Sequence, residues 1–288
     1  MKICVTGGCG YIGSLLVPKL LADGHTVTVV DTQWFGSGGL PKDNGHLTVR
    51  REDVRELLGW DQDVVIHLAS ISQNEMYAKN KSLAESVNRW LPIAKRLIYA
   101  SSVAAYGTSD DVLTEDSPLK PTTPYGVDKA WCEERVLVAG GVVVRSASVC
   151  GDASNMRFDT PINRMTRNAI KGFITVNGGR QKRCHVSIDD LCDFYRLLVT
   201  SDVKGVFNVV HSTQTMTETA KMVQRITGGE IQTNPSSDER SYQVSGEKAF
   251  RVLGWKPKWS LEEAVLYMKA ASGAPRYSDF SPARMRML

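Results

Sequence analysis

Tyr125-Gly-Val-Asp-Lys129 sets a phenol and an ammonium four residues apart. On a helix such a pair projects from one face. A free phenol, with a pKa near 10, is a poor base at neutral pH. A cation about 6 Å away, at an effective dielectric near 20, favours its phenolate by roughly 2.8 kcal/mol, or about two pKa units. A pair arranged so can pass a proton to and from a substrate oxygen. Ser102 ends a predicted strand and can hydrogen-bond that same oxygen, while Lys129 can also hold a ribose. A Tyr-x-x-x-Lys pair by itself is more often an ordinary surface pair, so its meaning depends on the elements that carry it.

Those elements begin at the N-terminus. Ile3, Cys4 and Val5 read as a short buried strand, and Gly7, Gly10 and Gly13 follow it. Leu15, Leu16, Val17, Leu20 and Leu21 then recur at helical period. Strand, glycine turn and helix make a cradle for a diphosphate. Gly7 allows the tight turn, Gly10 lets the backbone approach the phosphates, and Gly13 lets helix and sheet pack closely. The helix start supplies free N–H groups and a positive dipole end. His25 to Val30 reads as the second strand, ending at Asp31. That acid lies where a carboxylate accepts hydrogen bonds from the adenosine ribose and repels a 2′-phosphate, which predicts NAD rather than NADP.

Further strands are expected at 47–50, 63–67, 96–100 and 141–145, with helices at 75–91 and 125–139. Strands alternating with helices predict a doubly wound parallel (Rossmann) α/β sheet over residues 1–150. Asp53 can bond the adenine amino group, with Val54 beside the ring, or it can cap a helix. Leu68, Ala69 and Ser70 follow the fourth strand, where small residues let the backbone lie along a cofactor. His67 reads as a packed histidine at a strand end.

From Gly151 the rhythm changes, which predicts a smaller α/β substrate lobe over 151–274, a possible return of 185–210 to the first layer, and a tail at 275–288. Helices are expected at 161–171, 188–199, 215–227, 246–253 and 261–271, strands at 173–176 and 205–210, and a polar, basic loop at 178–185. Guanidinium forks suit phosphate oxygens, which makes Arg183 and Arg240 candidates for an anionic substrate. Arg180 and Lys182 read as solvated charges.

Bulk properties narrow the classes. The chain has 288 residues, 42% apolar and 23% charged, with a formal charge of +4. Neither a basic tract for nucleic acid nor an apolar run long enough for a bilayer is apparent. The six cysteines form no metal-binding or redox pair, so no metal site is expected and the thiols read as reduced in a cytoplasmic protein.

Taken together, Thr6-Gly-Gly-Cys-Gly-Tyr-Ile-Gly13, Asp31, Asp53-Val54, His67-Leu-Ala-Ser70, Ser101-Ser102 with Tyr106-Gly107, and Tyr125-x-x-x-Lys129 resemble the extended short-chain dehydrogenase/reductase family. Asn163, Arg183, Ile188-Asp-Asp190 and Leu253-Gly-Trp-Lys-Pro257 extend the likeness to its nucleotide-sugar epimerase/dehydratase branch. The resemblance implies NAD held by Gly7, Gly10, Tyr11, Ile12, Gly13, Asp31, Asp53, Val54, Leu68, Ala69, Ser70, Tyr125 and Lys129. It implies catalysis by Ser102, Tyr125 and Lys129, and a nucleoside diphosphate sugar bound by Asn163, Arg183 and Arg240. It also implies a homodimer paired through helices near 75–91 and 124–139.

Three departures refine that expectation. Dehydratases of the family carry an acidic pair just after the catalytic hydroxyl residue, whereas Val103 and Ala104 follow Ser102 here. Ser148-Val-Cys-Gly-Asp152 replaces the usual Asn and Tyr-Gly-Pro, and the 67–80 stretch is short. The expected activity is therefore a nucleotide-sugar epimerase, with a keto-sugar reductase as alternative and a non-catalytic nucleotide sensor or scaffold as a third class.

Overall fold

The computed structural model describes residues 1–273 apart from 43, 57–60, 237 and 239. The tail expected at 275–288 lies outside the described residues. The first half contains β1 (Lys2–Thr6), α1 (Tyr11–Ala22), β2 (Thr26–Asp31), β3 (Leu47–Arg51) and β4 (Val64–His67). Next come α2 (Asn74–Lys79), α3 (Lys81–Asn88), β5 (Leu97–Ser102), β6 (Val112–Leu113), α4 (Pro124–Val138), β7 (Val142–Ser146) and β8 (Ser148–Cys150). The second half adds α5 (Pro161–Ile170), β9 (Phe173–Asn177), β10 (Lys182–Ser187), α6 (Ile188–Val199), β11 (Gly205–Val209) and β12 (Ser212–Thr215). It ends with α7 (Met216–Thr227), β13 (Glu230–Asn234), β14 (Gln243–Val244), α8 (Glu247–Leu253) and α9 (Leu261–Ala270).

Seven strands form one parallel sheet in the order β11-β7-β5-β4-β1-β2-β3. The apolar runs of β1, β4 and β7 are continuous because both faces of the sheet are covered there, whereas the edge strand β3 is largely exposed. In β1, Ile3 and Val5 pack with Leu16 and Leu20 of α1 and Phe194 of α6. Cys4, between them, faces the other layer with Cys132 and Val136 of α4. The strand order reverses between β1 and β4, so the crevice at the strands' C-terminal ends opens there, where ligands bind in such sheets. Strand β11 is the edge strand of this sheet, beside β7.

The second lobe has its own core, in which Ile162, Met165, Ile174, Met216, Ala220, Val223 and Val265 meet. Its pairings are small: β12-β10-β8, β13-β9 and β14-β6. All six cysteines are free and buried.

Two differences from the sequence expectation have a local cause, beside the short strands β6, β8, β12, β13 and β14 that it did not include. The helix expected over 75–91 is two short helices, because Asn80 leaves helical geometry (φ −148°, ψ 80°) and its side chain caps α3 by accepting from Leu83 N at 3.0 Å. The loop expected over 178–185 is strand β10 from Lys182 onward. Several of its polar side chains are buried with partners, such as Arg183 with Asp238 and Ser187 with the start of α6.

Candidate active site

The glycine turn closes against the segment that follows β4. Gly7 has φ +69°, and a Cβ there would lie 2.7 Å from Ala69 N, so a side chain fits neither the turn nor the space. A Cβ on Gly13 would lie 2.5 Å from Gly8 Cα, which leaves the start of α1 against the turn itself. The N-cap of α1 is Gly10, with no side-chain cap and no acid in the first turn. That end of the helix therefore suits an anion.

Asp31 fixes the same loop. Its carboxylate accepts from Cys9 N at 3.0 Å and from Gln33 N at 2.7 Å. Burial pushes its pKa up, and these two backbone bonds oppose that. Asp53 performs the capping role considered from sequence: it starts a short 3₁₀ turn at Val54–Glu56 and accepts from Arg55 N at 2.9 Å. Its oxygens also take the Arg55 guanidinium at 2.9 and 2.7 Å, which holds its pKa below the usual carboxylate range.

Ser102 leaves β5 as the N-cap of a 3₁₀ turn at Val103–Ala105, its Oγ accepting from Ala104 N at 3.2 Å. The hydroxyl proton stays available to a substrate oxygen. Tyr125 and Lys129 stand on the first two turns of α4, whose start is capped by Thr123 Oγ1 accepting from Gly126 N at 3.1 Å. Gly126 lets α4 approach the Ser102 turn: a Cβ there would lie 2.6 Å from Ala104 O. Lys129 is buried, with Nζ donating to Ala100 O at 2.7 Å and lying 5.4 Å from the centre of the Tyr125 ring.

A buried ion pair locks α4 to the sheet. Glu133, one turn beyond Lys129, accepts from Arg145 of β7 at 2.7 Å and from Ser101 Oγ of β5. The helix carrying Tyr125 is therefore registered on the strand carrying Ser102.

One cleft of about 380 Å³ joins these pieces. Its lining includes Gly7, Gly10, Tyr11, Ile12, Gly13, Asp31, Asp53, Val54, Leu68, Ala69, Ser70, Ser102, Tyr125 and Lys129. The glycine cradle, the uncapped helix start and Asp31 fit a dinucleotide along one arm. His67 lies behind the wall as expected: its Nδ1 is 2.7 Å from Thr6 Oγ1, and burial, with the nearby Lys129 charge, lowers its pKa to about 3. It is a packed neutral ring.

Asn163, Arg183 and Arg240 are not in the cleft wall. Asn163 is buried; it accepts from Gly151 N at 3.1 Å and donates to Tyr11 Oη at 3.0 Å and Arg157 O at 2.8 Å. Any influence it has on a ligand runs through Tyr11 and Arg157, both of which line the cleft. Arg183 and Arg240 come together on Asp238, at 2.9 Å for Arg183 Nη2 and 2.7 Å for Arg240 Nε. The Arg240 fork, more than Arg183, drives the Asp238 carboxyl down to about 2. The Arg183 guanidinium lies 5.5 Å from the ring centre of Tyr242, which does line the cleft.

Several lining residues carry no sequence signal. Ser72, Gln73, Asn155, Arg157, Thr160 and Tyr242 come from loops that meet only in the folded chain. Arg157 spans the gap between lobes, donating to Ser72 Oγ at 2.8 Å and pairing with Asp159 at 2.5 Å. Asn155 Nδ2 donates to Cys9 O at 2.6 Å, tying the same segment to the glycine turn.

The sequence profile of the NAD dependent epimerase/dehydratase family matches residues 3–209, which spans the cradle, Ser102, Tyr125 and Lys129. The chain belongs to that family. It is thus an enzyme of the extended short-chain dehydrogenase/reductase type, with NAD as its cofactor. Among relatives in this family, it is 29% identical over 295 residues to UDP-glucuronic acid decarboxylase 1 of Xenopus tropicalis, covering 92% of this chain and 70% of that protein. It is 28% identical over 312 residues to UDP-glucose 4-epimerase of Lactobacillus helveticus, covering 90% and 92%. The fold matches the crystal structure of Thermus thermophilus UDP-glucose 4-epimerase complexed with NAD, at TM-score 0.82 and 24% identity over 95% of this chain and 100% of that one.

Proposed function

We propose that this enzyme is a nucleotide-sugar epimerase that inverts one hydroxyl-bearing carbon. The observation that carries the reading is the distribution of acids in the cleft. Among the described lining residues the carboxylates are Asp31, Glu52 and Asp53, all beside β2 or β3 at the adenosine arm. Around Ser102 and Tyr125 the lining offers hydroxyls, an ammonium and the small residues Val103 and Ala104. That supports moving a hydroxyl proton and gives no described carboxylate for water elimination.

When bound, NAD supplies a reversible hydride acceptor. Tyr125 takes the hydroxyl proton as the sugar carbon is oxidised and returns it when the carbon is reduced from its other face. Ser102 donates to the same oxygen and holds it against Tyr125. Lys129 sets its ammonium beside the tyrosine ring and would hold the nicotinamide ribose. Asp31 receives the adenosine ribose hydroxyls. Arg183 and Arg240 would take the substrate diphosphate by exchanging it for Asp238.

The UDP-sugar activities named for the Xenopus and Lactobacillus relatives support a nucleoside diphosphate sugar as substrate. A homodimer fits the outward face of α4, where Val127 and Val138 are 43% and 86% exposed. A cytoplasmic location fits six unpaired cysteines. Proton NMR of UDP-glucose, UDP-galactose and UDP-glucuronic acid incubated with the NAD-loaded enzyme tests the reading. It predicts an epimer with no net change in NADH; loss of water or carbon dioxide from the sugar overturns it. With NADH and a nucleotide 4-keto-sugar supplied instead, stoichiometric NADH consumption would establish the alternative, a keto-sugar reductase using the same three residues.

A further inference from the structure

Lys129 carries a charge in a place that offers it little polar company. It is 2% exposed, and among the described residues its one hydrogen bond goes to Ala100 O at 2.7 Å. An ammonium has three N–H donors. Its second neighbour is aromatic: Nζ lies 4.7 Å from the ring centre of Tyr99, closer than to the Tyr125 ring at 5.4 Å. Both distances are within reach of a cation–π attraction, which strengthens where water is excluded.

Tyr99 is itself held rigidly. It is 1% exposed on β5, three residues before Ser102. Its ring stacks on His67, with centres 5.9 Å apart and planes 22° apart, and the Trp90 ring stands 5.8 Å from the same histidine. The His67 ring is fixed in turn by Thr6 at 2.7 Å. A ring locked in this way offers its face at a fixed place under the cleft floor.

We infer that Tyr99 is a positioning residue: its π face seats the Lys129 ammonium so that the remaining N–H donors point into the cleft toward the nicotinamide ribose. The inference rests on the reading of Lys129 given above. The aromatic face, and not the phenol hydroxyl, performs this task. A lysine without that seat must be ordered when the cofactor binds, and binding weakens accordingly.

The test replaces Tyr99 by phenylalanine and by 4-fluoro-, 3,5-difluoro- and 3,4,5-trifluorophenylalanine. Fluorine drains the ring face of negative potential while leaving its shape nearly unchanged. NAD affinity is measured by titration calorimetry, alongside melting temperature. Tyr99→Phe should bind NAD within about twofold of the wild type, and the trifluoro variant should bind roughly 3- to 10-fold more weakly than Tyr99→Phe, with intermediate steps graded and melting unchanged. Tyr99→Leu should fall with or below the trifluoro variant. A flat fluorine series, or Tyr99→Leu binding as tightly as Tyr99→Phe, overturns the inference. Lys129→Met separates it from the reading beneath: unchanged NAD affinity in Lys129→Met removes that reading of the lysine, whereas weakened affinity with a flat series removes only the role of Tyr99.

Discussion

A Cβ atom placed on Gly126 would lie 2.6 Å from the carbonyl oxygen of Ala104. That closeness brings the tyrosine helix against the serine turn, because Gly126 follows Tyr125 directly and Ala104 sits two residues beyond Ser102. Gly126→Ala must therefore push α4 away from the turn, since neither backbone can yield without disturbing its hydrogen bonds. Overpacking of this kind costs about 1–3 kcal/mol of stability. Turnover should fall at least roughly 10-fold through misplacement of Tyr125. Steady-state kinetics with circular dichroism at the assay temperature checks this; a folded Gly126→Ala enzyme with wild-type kcat contradicts it.

Tyr125→Phe removes the proton-transfer group and little else. It should lower kcat by about 10²–10⁴ while NAD affinity changes little. Ser102→Ala should cost less in the same step. An active Tyr125→Phe enzyme would place the chemistry elsewhere.

The parts of the site legible in the sequence are those whose spacing is fixed within one element or one turn. Gly7 to Gly13, Asp31 at the end of β2, and Tyr125 with Lys129 on one helix are of this kind. The tertiary positions are not. Arg157, Asn155 and Tyr242 reach the cleft on loops, and nothing in their spacing distinguishes them from surface polar residues. Strand β10 was hidden for a related reason. Its sequence, Lys-Arg-Cys-His-Val-Ser, reads as solvated, yet five of its six residues are buried because partners on β12, α6, α7 and the Asp238 segment satisfy or cover them. Gly126 carried no signal of its own, since only the path of the turn after Ser102 makes a side chain impossible there. The break at Asn80 depended on a side chain preferring a cap to another helical turn.

Arg183→Ala tests the substrate arm. Arg183 is 8% exposed and paired with Asp238, so the substrate's diphosphate must draw it from that partner. Charge-assisted phosphate contacts are worth about 1.5–3 kcal/mol, which predicts a KM roughly 10- to 100-fold higher. NAD affinity should hold. Weakened NAD binding with an unchanged substrate KM would contradict the division of the cleft into two arms.

Two buried histidines predict how stability depends on pH. Burial lowers both His67 and His185 to about 3, with the Lys129 charge adding to the first and the Arg183 charge to the second. In the unfolded chain each takes up a proton below about pH 6.5. Between about 6.5 and 3 the unfolded state thus binds more protons, so stability falls as the pH drops through this window, by at most about 1.4 kcal/mol per pH unit for each histidine. Urea melts at pH 7, 6 and 5 should show the loss, and His67→Gln should remove its share. Stability that stays flat from pH 7 to 5 contradicts this account of the two rings.

The most direct measurement of the central claim is the mass of the sugar product formed in D2O. Tyr125 exchanges only the proton on oxygen, which is solvent-exchangeable in any case; the hydrogen on carbon leaves and returns without meeting water. The account predicts an epimerised nucleotide sugar that carries no carbon-bound deuterium. One deuterium on carbon per turnover would show that a carbon acid is ionised and reprotonated from solvent, and that Tyr125, Ser102 and Lys129 serve a different reaction.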